Sequence, residues 1–139
     1  MRRQPHCVCI NLRRLARLTT QLYDEAMAES GLKITQYSLL CAIARNEPAA
    51  MSALAYEVDL DRTTLARNLT PLQRDGLVAL SDGADRRVTE VTLTARGRAA
   101  IERARPQWER AQRQVMQRIG SERAALIRAL AAELGEGEV

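Results

Sequence analysis

The chain has 139 residues, 46% apolar and 27% charged, which is the balance of one globular domain and excludes a disordered chain. No run reaches the roughly 18 consecutive apolar residues of a membrane span. The N-terminal stretch passes from arginine to polar, cysteine and again arginine residues without a signal-peptide pattern, so the expected location is the cytoplasm, with three reduced cysteines. The net charge of +4 and pI near 9.4 suit a nucleic-acid partner. That charge is spread thinly, however. Residues 1–60, 61–98 and 99–139 each carry seven basic groups against six, five and six acidic ones, so a DNA surface has to come from local placement.

Leu12, Leu15, Leu18 or Thr19, Leu22 and Ala26 recur at spacings of three and four and predict a helix over 10–29, ended at Gly31. Thr35 is the expected cap of a second, mostly interior helix through QYSLLCAIARN, stopped at Asn46-Glu47-Pro48. The triplet AAM at 49–51 is too short to classify. Ser52 is the expected cap of a short helix, ALAYEV, and Asp59-Leu60 is a tight link. Asp61 caps the next helix, RTTLARNLTPLQRD, which Gly76 ends. LVALS reads as a strand, DGAD as a turn and RVTEVTL as a second strand. Thr94 caps a long helix from Ala95 towards Ile119, expected to be interrupted at Pro106 near Trp108. After Gly120-Ser121 a last helix runs from Glu122 to Leu134, and GEGEV is expected to fray.

Two helices joined by a very short link and followed by a two-stranded hairpin form the pattern of a winged helix-turn-helix. On the second of these helices, Leu65, Leu69 and Leu72 share one face. Thr63, Arg67, Thr70 and Arg74 lie opposite, with Thr64 and Asn68 on a flank. Leucines would seat such a helix on the domain. Arg67 has the geometry for guanine O6 and N7, Asn68 for adenine, and Thr63 and Thr64 for phosphate or a thymine methyl. Arg62 stands at the helix N-terminus, whose dipole favours a phosphate. The hairpin turn DGADRR carries Arg86 and Arg87, suited to the DNA backbone or a narrow minor groove. Pro71 falls past these contact residues and is expected to bend the helix locally.

The run DRRVTEVTLTARG resembles the wing signature of the MarR family of bacterial regulators, Asp-x-Arg followed by a strand ending Leu-Thr-x-x-Gly. Asp85, Arg87, Leu93, Thr94 and Gly97 match it. LTPLQRDGLV and GLKITQYSLL resemble two further stretches of that family, and the order of elements agrees over roughly residues 9–134. The resemblance implies a homodimeric repressor or activator. Its helical dimerisation region would span 9–34 and 95–134, and its winged helix-turn-helix lobe 35–94. The implied fold is mainly α with a small β-hairpin wing. By the same resemblance Arg87 is the wing arginine of the minor groove and Asp85 the acidic residue that orients it. Arg62, Thr63, Thr64, Arg67 and Asn68 stand where family members meet the major groove. The expected partner is double-stranded DNA with a pseudo-palindromic operator.

No catalytic motif stands in the sequence, and no cofactor or metal is expected. An enzyme is therefore not expected. The alternative is a dimeric winged-helix module that binds proteins instead of DNA. The signal is open among three chemistries. Cys9 lies at the start of the first helix with Arg13 one turn on, a setting that favours a thiolate. Its spacing to Tyr23 resembles the organic-hydroperoxide-sensing branch of the family, in which tyrosines from the partner chain reach the cysteine. That branch's second tyrosine falls by spacing on Ile34, with Tyr37 one turn away. His6, Cys7 and Cys9 are a second, soft-metal option, short of the four ligands of a closed site. A small aromatic ligand between the dimer helices and the DNA lobe, near Tyr23, Tyr37 and Arg17, is the third. Cys7 and Cys9 are also readable as incidental or as packing residues, and Cys41 as a buried small hydrophobe.

Overall fold

A computed structural model describes residues 6–136. The first helix, α1 (Val8–Ala26), begins two residues before its predicted start at 10 and ends three before its predicted end at 29, with Cys7 as its N-cap. A single 3-10 turn over Ala28–Ser30 and Gly31, at φ 76°, close the segment. Helix α2 (Ile34–Arg45) starts ahead of the predicted cap: Thr35 lies inside the first turn and Lys33 at the N-cap. Two N–H groups at its start are met by side chains, one from α1 and one from α2 itself. Ile34 donates to Asp24 Oδ1 of α1 at 2.8 Å, and Lys33 donates to Gln36 Oε1 at 3.0 Å. Asp24 is half-buried and caps a neighbouring helix.

The unclassified triplet divides between two elements. Ala49 and Ala50 form strand β1, and Met51 opens α3 (Met51–Glu57). Ser52 is therefore inside the helix instead of capping it, because strand pairing of Ala50 and burial of Met51 fix the start two residues earlier. Helix α4 (Arg62–Arg74) has Asp61 as its cap, as predicted, and Gly76 at φ 74° lets the chain leave it. Strands β2 (Val78–Asp82) and β3 (Thr89–Leu93) form the hairpin. The sheet is antiparallel in the order β1-β3-β2, with Val91 between Ala49 and Leu80. Helices α5 (Ala95–Ile119) and α6 (Ser121–Glu136) complete the fold.

Pro106 does not interrupt α5, and α4 likewise continues through Pro71. A single proline removes one backbone hydrogen bond, and burial of Ile101, Ala104 and Ala111 holds α5 in place on both sides. Helix α6 runs two residues past its expected end, through Glu136. The rest of the tail lies outside the described residues.

The core gathers Leu40 and Ile43 of α2, Leu54 of α3, the three α4 leucines and Val91 of β3, all at most 1% exposed. Ala100, Ile101 and Ala104 close it from α5. Helix α1 contributes no buried residue. Its Val8, Ile10, Leu12, Leu15 and Leu18 remain 40–71% exposed, and Leu126, Ile127, Leu130 and Leu134 of α6 are 42–71% exposed.

The Leu-Thr-x-x-Gly stretch is the joint between the wing and α5. Thr94 Oγ1 accepts from Gly97 N–H at 3.0 Å and donates to the Gly76 carbonyl at 2.6 Å. Thr94 N–H donates to the Leu77 carbonyl at 3.1 Å. A Cβ on Gly97 would lie 2.1 Å from that same carbonyl oxygen, so only glycine allows the approach.

Candidate nucleic-acid interface

Helix α4 is held from one side only. Leu65, Leu69 and Leu72 are buried, while Arg62, Thr63, Arg67, Asn68, Thr70 and Arg74 are exposed. Asp61 fastens its first turn: Oδ1 accepts from Thr64 N–H and Oδ2 from the Thr64 hydroxyl, each at 2.8 Å. These bonds, the backbone one first, hold the Asp61 carboxyl below its ordinary value. Thr64 thus differs from its neighbours. It is half-buried and its hydroxyl proton is committed to the cap, leaving the oxygen as an acceptor and the methyl as an apolar contact.

Arg67 and Asn68 also border a groove of about 200 Å³ whose opposite wall is Lys33, Thr35 and Gln36 at the start of α2. Sequence reasoning placed none of these three at the site. They lie some thirty residues upstream, and only the packing of α2 on α4 brings them alongside.

The wing turn is closed by Gly83 N–H donating to Val88 O at 2.7 Å and Val88 N–H to Asp85 O at 2.9 Å. Asp85 Oδ1 accepts from the Arg87 backbone N–H at 3.0 Å and stands 3.5 Å from Arg87 Nε. One carboxylate thereby shapes the turn and aims the guanidinium, whose side chain is 92% exposed. So exposed a pair contributes little stability, so its effect lies in orientation. Arg86 is exposed beside it.

The four residues singled out for sensing occupy three separate places. Cys7 is the N-cap of α1 and Cys9 its second residue, both exposed thiols. Tyr23 lies 14 residues beyond Cys9, about 21 Å along the helix. Its hydroxyl donates to Gln112 Oε1 of α5 in the same chain, and burial pushes its pKa up. Tyr37 is buried, with its ring 6.0 Å from that of Trp108. Burial raises its pKa first and the adjacent Cys41 adds to this, against an opposing effect of Arg105. Cys41 is half-buried at the edge of the core, more open than the sequence suggested. Among the described residues no three His, Cys, Asp or Glu side chains gather as a metal site.

Tyr23, Tyr37 and Arg17 stand in three different places among the described residues. Tyr23 borders a groove of about 430 Å³ with Leu12, Leu15, Thr19, Ile34 and Ile127. Arg17 faces a separate groove with Arg14, Gln21 and Asp24, and Tyr37 turns inward onto Trp108.

The chain is 42% identical to the transcriptional regulator MosR of M. tuberculosis, solved in complex with DNA. The match covers 94% of this chain and 95% of that one, with a TM-score of 0.85. The chain belongs to the MarR family. The family model itself matches residues 30–88, from the end of the 3-10 turn before α2 to the end of the wing turn. An HTH-type transcriptional regulator of Bacillus cereus is 28% identical over 100 residues, which cover 72% of this chain and 67% of that protein. The PcaV regulator of Streptomyces coelicolor, at 21% identity, shares the fold over the full length of both chains with a TM-score of 0.84. Membership makes this MarR protein a winged-helix transcriptional regulator and not an enzyme. Among the described residues no helix is long and apolar enough to cross a membrane.

Proposed function

We propose that this MarR protein is a homodimeric, sequence-specific DNA-binding repressor, released by an oxidant or a small-molecule signal. The observation that carries the DNA reading is the pairing of two exposed surfaces. One is the Arg62–Asn68 face of α4, backed by buried leucines. The other is the wing tip, where Asp85 aims Arg87. The likeness to MosR, solved with DNA at 42% identity, supports the same reading. Arg62, Thr63, Thr64, Arg67 and Asn68 enter the major groove, while Arg86 and Arg87 follow the backbone into the adjacent minor groove.

Dimerisation is assigned to 9–34 and 95–134. An amphipathic α1 with no buried residue, beside an α6 with four exposed large apolar side chains, supports a covered apolar face. A two-fold dimer reads a pseudo-palindrome with half-sites about one helical turn apart.

Cys9 is the favoured sensor. Its thiolate would attack a hydroperoxide oxygen, the O–O bond would break, and sulfenic acid and an alcohol or water would form. Its place at the end of a dimer arm would transmit the change to the spacing of the two DNA lobes. Tyr23 would assist only from the partner chain, given its distance along the helix.

A fluorescence-anisotropy titration against the protein's own upstream DNA tests the function. Specific, salt-sensitive binding is expected, with Arg87→Ala weaker and its salt slope smaller by about one. Binding without sequence preference at any salt would favour a protein-interaction module instead, and wild-type affinity in Arg87→Ala would remove the wing from the mechanism.

A further inference from the structure

Glu47 lies in the short link between α2 and β1, outside every surface considered above, and its two carboxylate oxygens are committed in different directions. Oε1 accepts from Leu93 N–H at 2.6 Å, and Oε2 stands 2.6 Å from Arg98 Nη2. Leu93 is the last residue of β3 and Arg98 lies in the first turn of α5. One side chain therefore ties together the exit of α2, the root of the wing and the start of α5.

The strand register explains why a carboxylate is needed there. Strand β1 pairs Ala49 with Val91 and Ala50 with Glu90, then stops. Two residues further along the same register, Glu47 falls opposite Leu93. The peptide ladder is over at that point, and the Glu47 side chain supplies the missing acceptor. Burial alone would raise the Glu47 pKa, but the bonds from Leu93 and Arg98 outweigh it and hold the carboxyl below its ordinary value. The side chain is only 19% exposed, so the ionised group is well held.

We propose that Glu47 is a positioning residue for DNA binding: its clasp on Leu93 and Arg98 fixes the β1-facing side of β3 against α5 and so sets where Arg86 and Arg87 stand relative to α4. Strand β2, at the free edge of the sheet, is rooted by the bonds from Thr94 to Gly76 and Leu77. On its other side the central strand, β3, has a partner strand of two residues, and Glu47 extends that support to the end of β3. The inference rests on the DNA reading above. It also makes a prediction opposite in sign to simple electrostatics. Removing an acidic group near DNA should tighten binding by charge alone, whereas loss of wing placement should weaken it.

The test uses the full chain and the same titration at several salt concentrations, with wild type, Glu47→Ala, Glu47→Gln, Arg87→Ala and the double variant Glu47→Ala/Arg87→Ala. Glu47→Ala is expected to weaken specific binding by about three- to tenfold and to lower the salt slope as Arg87→Ala does. The double variant should lose clearly less than the sum of the two single losses, because Glu47 acts through the wing and only Arg86 remains there to be misplaced. Glu47→Gln, which keeps an acceptor for Leu93 but loses the ion pair, should fall between. Without DNA, hydrogen exchange in residues 83–93 should quicken in Glu47→Ala while residues 62–75 stay unchanged. If Glu47→Ala does not fold, Arg98→Ala breaks the same clasp at a side chain that is 57% exposed. Equal or tighter binding, or a loss that adds in full to that of Arg87→Ala, overturns the proposal while leaving the DNA reading intact. A wild type that binds no specific DNA overturns both.

Discussion

Replacing Gly97 by alanine should destabilise the protein through one identifiable collision. The new Cβ would stand 2.1 Å from the Leu77 carbonyl oxygen and 3.0 Å from its carbon. Both walls are backbone. The carbonyl is held by Thr94 N–H, and the first turn of α5 by Thr94 Oγ1, so neither side moves freely. Overpacking costs about 1–3 kcal/mol, and a contact with fixed backbone belongs at about 3. Alanine's better helix propensity offsets up to about 1 kcal/mol. The net loss is about 2 kcal/mol, which in a chain of this size lowers Tm by roughly 8 °C. Gly135→Ala is the matched control, since a Cβ there meets nothing within 4 Å, and its Tm should be unchanged or slightly raised. Calorimetry on both variants checks the reasoning. A Gly97→Ala protein as stable as wild type would mean that the wing–α5 joint yields easily and that the close approach does not explain the glycine.

Three further outcomes follow from the same structure. Because the Asp61 carboxyl is held below its ordinary value, its stabilisation is fully present above the unfolded value of about 4 and fades as pH falls through the lower folded value. Denaturant titrations should therefore show a constant advantage of wild type over Asp61→Ala near neutrality that shrinks in acid; an advantage that grows in acid would contradict the cap. Leu12→Glu puts a charge on the exposed apolar face of α1, and sedimentation equilibrium should move from twice the 15.5 kDa chain mass towards one; an unchanged dimer would place the interface elsewhere. Peroxide should lower DNA affinity in wild type, reductant should restore it, and Cys9→Ser should be indifferent to both; equal loss in Cys9→Ser would exclude that thiol.

The lobe that carries the candidate interface was legible because its residues act locally. Leu65, Leu69 and Leu72 repeat at helical spacing, Asp61 caps the turn it begins, and Gly76 follows the helix it ends. Those signals sit within a few residues of their effect. The α1 period was equally visible, but it marks a face the single chain leaves uncovered, so it spoke for a partner and not for the core. What escaped notice depends on distance in sequence. Strand β1 is two residues long, too short for any period, and exists only because β3 is beside it. Asp24 caps a helix that begins ten residues later. Glu47 meets Leu93 and Arg98 across 46 and 51 residues, and beforehand it was visible only as part of a helix stop. Gly97 stood in a recognisable motif, yet the reason for it, the Leu77 carbonyl, required the fold. The spacing from Cys9 to Tyr23 rules out contact along one helix and so points to the partner chain, but the bond from Tyr23 to Gln112 of α5 lies 89 residues away in sequence and needed the fold.

Footprinting of the purified protein on its own upstream DNA tests the central claim most directly, with the stoichiometry of the complex measured by native mass spectrometry in the same buffer. Two chains per duplex are expected, with protection of two inverted half-sites centred about one helical turn apart and flanking minor-groove protection that disappears in Arg87→Ala. A single asymmetric half-site, one chain per duplex, or protection without sequence preference would contradict a two-fold regulator that reads DNA with α4 and the wing.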